Sequence, residues 1–221
     1  MQGGVVEAQE KGKARAAPAR PAARDLLLQA ASEVMSERQT IDVPLSDIAA
    51  RAEVNVALVS YYFGGKDGLL LALAKRDAAT ALGELDRLLS LNISPEEKLR
   101  RHLAGVIKTF FRYPYLYRLL AALMRDASDE TARDIAQFFA QPLARAAQGL
   151  MEAGIANGSI RPLDPQLFYI AALGACEQIF ANRAILKFVH GIEEIDETLQ
   201  RRYAEVVLET LMRGYLAPQG D

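Results

Sequence analysis

The stretch from Val43 to Leu70, VPLSDIAARAEVNVALVSYYFGGKDGLL, constrains this chain more than any other part of it. Leu45, Ile48, Ala49 and Ala52 recur at three- and four-residue spacing, which places one apolar face on a short helix. Glu53, Val54 and Asn55 interrupt the pattern, and a second apolar face follows at once through Val59 and Phe63. Val54 sits in the turn, where it can plug the angle between the two helices. The spacing therefore predicts helix, tight turn, helix. The far side of the second helix carries Val56, Ala57, Ser60 and Tyr61, small or hydrogen-bonding groups that suit the floor of a groove. Gly64 and Gly65 end that helix with residues tolerant of positive φ, and Lys66-Asp67 open the next with Asp67 at its positive end.

The string from Val54 to Leu69, VNVALVSYYFGGKDGL, resembles the recognition-helix signature of the tetracycline-repressor (TetR) family of transcription regulators. The shared features are a small polar residue opening the helix, an aromatic cluster ending in Phe, then Gly, a small residue, Lys, an acidic residue and, two places on, Leu. The likeness extends upstream through Ser46-Asp47-Ile48-Ala49, and the chain length is typical of the family. Ser60 stands where many members carry the first Tyr of the cluster, and Pro44 where a Thr often caps the preceding helix. Proline is tolerated at a helix start. The resemblance implies double-stranded DNA as a partner, with Val56, Ala57, Ser60 and Tyr61 facing a groove and Ser46 opening the preceding helix. It implies phosphate contacts for Asn55, Tyr62 and Lys66. Val56 and Ala57 can touch thymine methyls and Ser60 several base edges, but the helix has no Arg for guanine. Base discrimination then leans on Tyr61 and on DNA shape. The alternative is that Tyr61 and Tyr62 only pack the domain.

Charge is divided unevenly along the chain, whose net value is −2. Residues 1 to 24 set Lys11, Lys13, Arg15, Arg20 and Arg24 against Glu7 and Glu10, whereas the motif region carries more acidic than basic groups. Residues 1–21, rich in Ala, Gly, Pro and basic side chains, read as a basic disordered arm. Either the arm supplies phosphate attraction, in which case its removal flattens the salt dependence of DNA binding, or it is a solvated tail. Residues 22–66 are expected to form the helix-turn-helix domain and 67–217 the effector-binding and dimerisation domain. The single cysteine, Cys176, excludes an intrachain disulfide. With no apolar run of membrane-spanning length and no apolar N-terminal segment, the expectation is a soluble cytoplasmic protein without membrane contact.

Further helices are predicted for 66–89, 95–112, 114 to about 128, 128–156 with Pro142 inside, 165 to about 190, and 196 to about 216. Their starts are marked by Ser94-Pro95-Glu96-Glu97, Ser128-Asp129-Glu130 and Asp164-Pro165. No segment alternates with period two, so the fold class is all-α with about nine helices. Gly-Gly-Lys at 64–66 lacks the spacing of a phosphate-binding loop. The apolar residues of the eighth helix point in every direction, which predicts cover on both sides. In the family resembled, the two C-terminal helices pair with their mates in a four-helix interface. This implies a homodimer that sets two recognition helices on one face of DNA; the alternative is a monomer core.

The same resemblance implies an effector pocket among the middle helices, where large side chains cluster. The candidate lining is His102, Phe110, Tyr117, Leu120, Met124, Phe139, Leu143, Cys176, Glu177 and Phe180, unless the cluster is plain core. Glu177 and Arg118 are charges within apolar helical stretches, each needing a partner, so they are candidates to orient a ligand or to pair with surface neighbours. His102 and His190 are isolated, and no metal or cofactor is expected. The leading expectation is a ligand-responsive repressor on a palindromic operator, released by a small, largely apolar effector. The alternative is an all-α small-molecule-binding protein or an enzyme using the cavity, though no nucleophile and base are paired by a motif.

Overall fold

Ten α-helices account for the regular structure of residues 23–125 and 128–215, which are the residues the computed structural model describes. The predicted arm over 1–21 lies outside them. The first three helices, α1 (Ala23–Arg38), α2 (Leu45–Arg51) and α3 (Ala57–Phe63), make the head of the molecule. Leu27, Ala31, Val34 and Met35 of α1 are buried against Ile48 of α2 and Val59 of α3. Each large apolar side chain so buried contributes about 1.5–3 kcal/mol. Val54 packs against the same core from the turn, and Glu53 beside it turns the chain at φ 54°. Outside this core the head is laced by ion pairs. Arg51 grips Glu37 with two nitrogens at 2.8 and 2.7 Å, Arg38 meets Asp47 at 2.6 Å, and the Arg24 guanidinium lies 5.3 Å over the Phe63 ring.

The joint between α3 and the long α4 (Lys66–Ser90) depends on two glycines. Gly64 ends α3 at φ 76°, giving its N–H to the Ser60 carbonyl. Gly68 lies so close to the end of α3 that a β-carbon there would stand 1.8 Å from the Phe63 carbonyl oxygen. From this joint α4 runs 25 residues, about 37 Å at the helical rise.

The remaining helices are α5 (Pro95–Arg112), α6 (Leu116–Arg125), α7 (Asp129–Ala156), α8 (Pro165–Ala181), α9 (Arg183–His190) and α10 (Glu197–Tyr215). Ser94 caps α5 through the Glu97 N–H, and Asp164 caps α8 through Gln166 and Leu167. Helix α7 continues through Pro142. The sequence predicts one helix from 165 to about 190, but Asn182 leaves helical geometry at φ −137°, ψ 78° and its side chain caps α9 through the Ile185 N–H at 3.2 Å. That break makes ten helices of the expected nine or so within the same all-α class.

Two cores follow from this arrangement. One joins the head to the first half of α4 and to Leu116, Leu119, Ile135 and Phe139 of α6 and α7. The other is built from α5, α7, α8 and α10 around Leu103, Ile107, Met151 and Cys176. Within one chain α8 is covered on one face only. Tyr169, Ala172, Cys176 and Ile179 are buried, while Leu167 and Ile170 stand 65% and 60% exposed. Among the described residues no helix is long and apolar enough to cross a membrane.

Candidate functional site

On the head, Ser46, Asn55, Val56, Ala57, Ser60, Tyr61 and Tyr62 are all exposed, and Lys66 is partly so. All of them lie outside the buried core, on α3 and its two ends and at the start of α2. Tyr61 is 78% exposed, so it does not serve the core. It stacks edge-on against Tyr62, whose ring in turn meets Phe63. Asn55 has a local task. Its Oδ1 accepts the Ala57 N–H at 2.8 Å and so caps α3, leaving Nδ2 as the group it can offer a phosphate. Lys66 Nζ reaches Asp42 at 3.1 Å, an exposed pair that a phosphate can displace at little cost.

Among the described residues, two ties that are at least part-buried connect the head to the helices beyond it. Tyr115, at the entry to α6, is buried and donates to Asp77 Oδ2 at 2.5 Å, with Ser32 Oγ of α1 at 2.7 Å. Arg76 holds the other Asp77 oxygen at 2.7–2.8 Å. Burial pushes the Asp77 carboxyl above its ordinary value, against the pull of Tyr115 and Arg76, and raises the Tyr115 hydroxyl too. The second tie is Arg118 of α6. Its guanidinium donates to the Gln39 carbonyl just past α1 and to the Ala181 carbonyl at the end of α8, both at 2.8 Å. Arg118 therefore does not orient a ligand. It is consumed by backbone carbonyls at two helix C-termini, where a cation is favoured.

Between the two cores lies a cavity of about 770 Å³ walled by α4, α5, α6, α7 and α8. Of the residues predicted from sequence, His102, Phe110, Tyr117 and Leu120 line it, and so do Met124, Phe139, Leu143 and Glu177. Cys176 and Phe180 do not. On α8 the wall includes Gln166, Ile170, Leu173 and Glu177, whereas Cys176, about 100° round the helix from Glu177, and Phe180, near the end of α8, sit in the second core. The Cys176 thiol points at the Leu103 carbonyl, and burial pushes it up to about 12. His102 is neutral, since burial lowers its ring to about 4, and it shares a 2.9 Å hydrogen bond with the buried Tyr169 hydroxyl. Sequence reasoning missed the α4 wall of Ala78, Ala81, Leu82, Leu85 and Leu88. The available signal was that this apolar stripe continues two turns beyond what the head requires. Among the described residues no group of three His, Cys, Asp or Glu side chains could hold a metal ion.

Two family profiles match the chain. One, described as "Tetracyclin repressor-like, C-terminal domain", covers residues 92–221. The other, "Bacterial regulatory proteins, tetR family", covers 27–73. The regulator BetI of Brucella anthropi is 36% identical over 91 residues, which are 41% of this chain and 45% of that protein. BetI 1 of Chromohalobacter salexigens is 36% identical over 87 residues, 39% of this chain and 42% of its own length. The match thus spans less than half of these curated relatives. Among solved structures, the ketosteroid regulator KstR2 of Mycobacterium tuberculosis superimposes with a TM-score of 0.70 at 18% identity, covering 92% of this chain and 100% of the other. FadR of Bacillus subtilis, solved with stearoyl-CoA, gives 0.67 at 20% identity over 86% of this chain and 98% of its own. At such identities the likeness is one of fold.

Proposed function

The chain belongs to the tetracycline-repressor family of bacterial regulatory proteins, and on that premise we propose that it represses transcription at an operator until a small molecule enters its cavity. The family is one of transcription regulators and not of enzymes. The observation that carries the reading is the reach of α4. Its first turn is locked to the recognition helix by Gly68 against Phe63, and its second half walls the cavity through Leu82, Leu85 and Leu88. One rigid element thus meets both candidate sites.

The reading head takes Val56, Ala57, Ser60 and Tyr61 as its groove-facing side chains, with Asn55, Tyr62 and Lys66 on phosphates. A homodimer through α8 and α10 supports two such heads, because Leu167 and Val206 are at least 60% exposed on one chain and a second copy would cover them. A cytoplasmic location, where the DNA is, belongs to the same reading. Occupation of the cavity would tilt α4 and move the heads out of half-site spacing. The Arg118 and Tyr115 ties, which join α1 to α4, α6 and α8, would carry the same displacement. Selection of source-genome fragments on the full chain, followed by affinity measurements at two salt concentrations, tests this. One inverted-repeat site with steep salt dependence is expected. Recovery of unrelated fragments with salt-insensitive binding would overturn it.

A further inference from the structure

Resting on that reading of the cavity as an effector site, we propose that the effector is a cationic amphiphile whose positive nitrogen seats against Glu177, Tyr117 and Phe110. Three charged side chains reach the wall: Glu84, Arg101 and Glu177. Arg101 is already engaged, its Nε donating to Glu97 at 2.7 Å. Glu84 and Glu177 take part in no ion pair among the described residues. The wall therefore presents two carboxylates that form no ion pair among the described residues against one guanidinium already paired with Glu97, a balance that disfavours an anionic head group and draws a positive one.

Glu177 is the more demanding of the two because it is half-buried on α8, while Glu84 is exposed. The neighbouring Tyr117 hydroxyl favours its charged form, and no ion pair compensates it among the described residues. A carboxylate partly withdrawn from water without a cation beside it is under-compensated. Burial accordingly raises its proton affinity above the ordinary value. On the same wall stand two aromatic rings, Phe110 and Tyr117, 6.3 Å apart and nearly perpendicular at 87°. Ring faces attract a cation that has left water, and an alkylammonium loses less hydration than a bare ammonium in doing so. The rest of the wall, from Leu85 and Leu88 to Leu120 and Leu143, offers no further charge to the ligand body. Such a wall fits a molecule with one positive end and a hydrocarbon remainder.

Isothermal titration of the full chain with decyltrimethylammonium, decan-1-ol and decanoate, each below its micelle threshold, tests the proposal. The cation should bind at least about tenfold more tightly than the alcohol, as expected of a charge-assisted contact out of water, and decanoate should bind most weakly. Glu177→Gln should remove the advantage of the cation while leaving decan-1-ol unaffected. Tyr117→Phe, which keeps a ring and the carboxylate, should retain it. Equal binding of the three probes, or a cation preference that survives Glu177→Gln, would overturn the proposal. The ranking in the unaltered chain decides the matter even if the variant fails to fold. Absence of binding by all three overturns the effector-cavity reading along with it. A cation that binds but leaves operator affinity unchanged supports the ligand class and contradicts the regulatory reading.

Discussion

The head and the cavity are held together in opposite ways. Residues 23–63 enclose a small core behind three short helices and surround it with exposed ion pairs such as Arg51 with Glu37 and Arg38 with Asp47. The candidate reading residues lie outside the core, where Asn55 caps α3 and Lys66 pairs with Asp42. The cavity is the reverse. Its wall is the inner face of five helices, and residues that line it also join elements, as His102 does in bonding Tyr169 across the α5–α8 contact. A site on the outside of a core is free to change without loss of fold, whereas one that is the gap between two cores is not.

The sharpest way to break this contrast is at the joint between the two. Gly68→Ala would force a β-carbon into the Phe63 carbonyl oxygen, and the shift of α3 away from α4 should cost about 3 kcal/mol with loss of operator binding. Chemical denaturation and a DNA-binding assay on the same preparation would check both. Next in size is a pH effect confined to the cavity. The His102 ring is held at about 4 by burial and titrates near 6.5 when unfolded, so unfolding takes up a proton anywhere between those values. Its share of stability is complete above pH 6.5 and falls by about 2 kcal/mol at pH 5. Stability curves of the parent and of His102→Gln should differ in this slope and run parallel above pH 7.

A smaller loss, about 1.5 kcal/mol, is expected of Tyr115→Phe. It leaves buried Asp77 with Arg76 as its remaining partner and cuts the link to Ser32. A shift of the denaturation midpoint at constant slope would register it. Least in stability, and most telling for the comparison, is Tyr61→Ala. The ring is 78% exposed, so the fold should change by less than about 0.5 kcal/mol while operator affinity drops. If that variant unfolded the head, the reading surface would be part of the core after all.

The same contrast explains what the sequence disclosed. The exposure of the candidate reading residues was legible because all but Ser46 are close together in the sequence. Asn55 to Lys66 spans one helix and its caps, and a single periodicity with two glycines sorts inner from outer side chains. Val59 is buried and Val54 and Phe63 partly so, whereas Val56, Ser60 and Tyr61 are exposed, which follows that sorting. The cavity draws on helices up to a hundred residues apart, from Ala78 to Glu177. Periodicity marks an apolar stripe but not what faces it. Cys176 and Glu177 are neighbours in sequence, yet about 100° of rotation puts one in the core and the other on the wall. Arg118 was legible as a charge needing a partner. That the partners are the carbonyls of Gln39 and Ala181 was not, because both are helix ends whose proximity arises only in the assembled fold.

The claim that one helix joins the two regions is tested most directly by measuring operator affinity with and without saturating decyltrimethylammonium, on the full chain and on Glu177→Gln. The affinity of the full chain should fall about tenfold or more, the range of allosteric coupling between distinct sites, and at the same probe concentration Glu177→Gln should fall less. An operator affinity that stays constant while the probe fills the cavity would contradict the account.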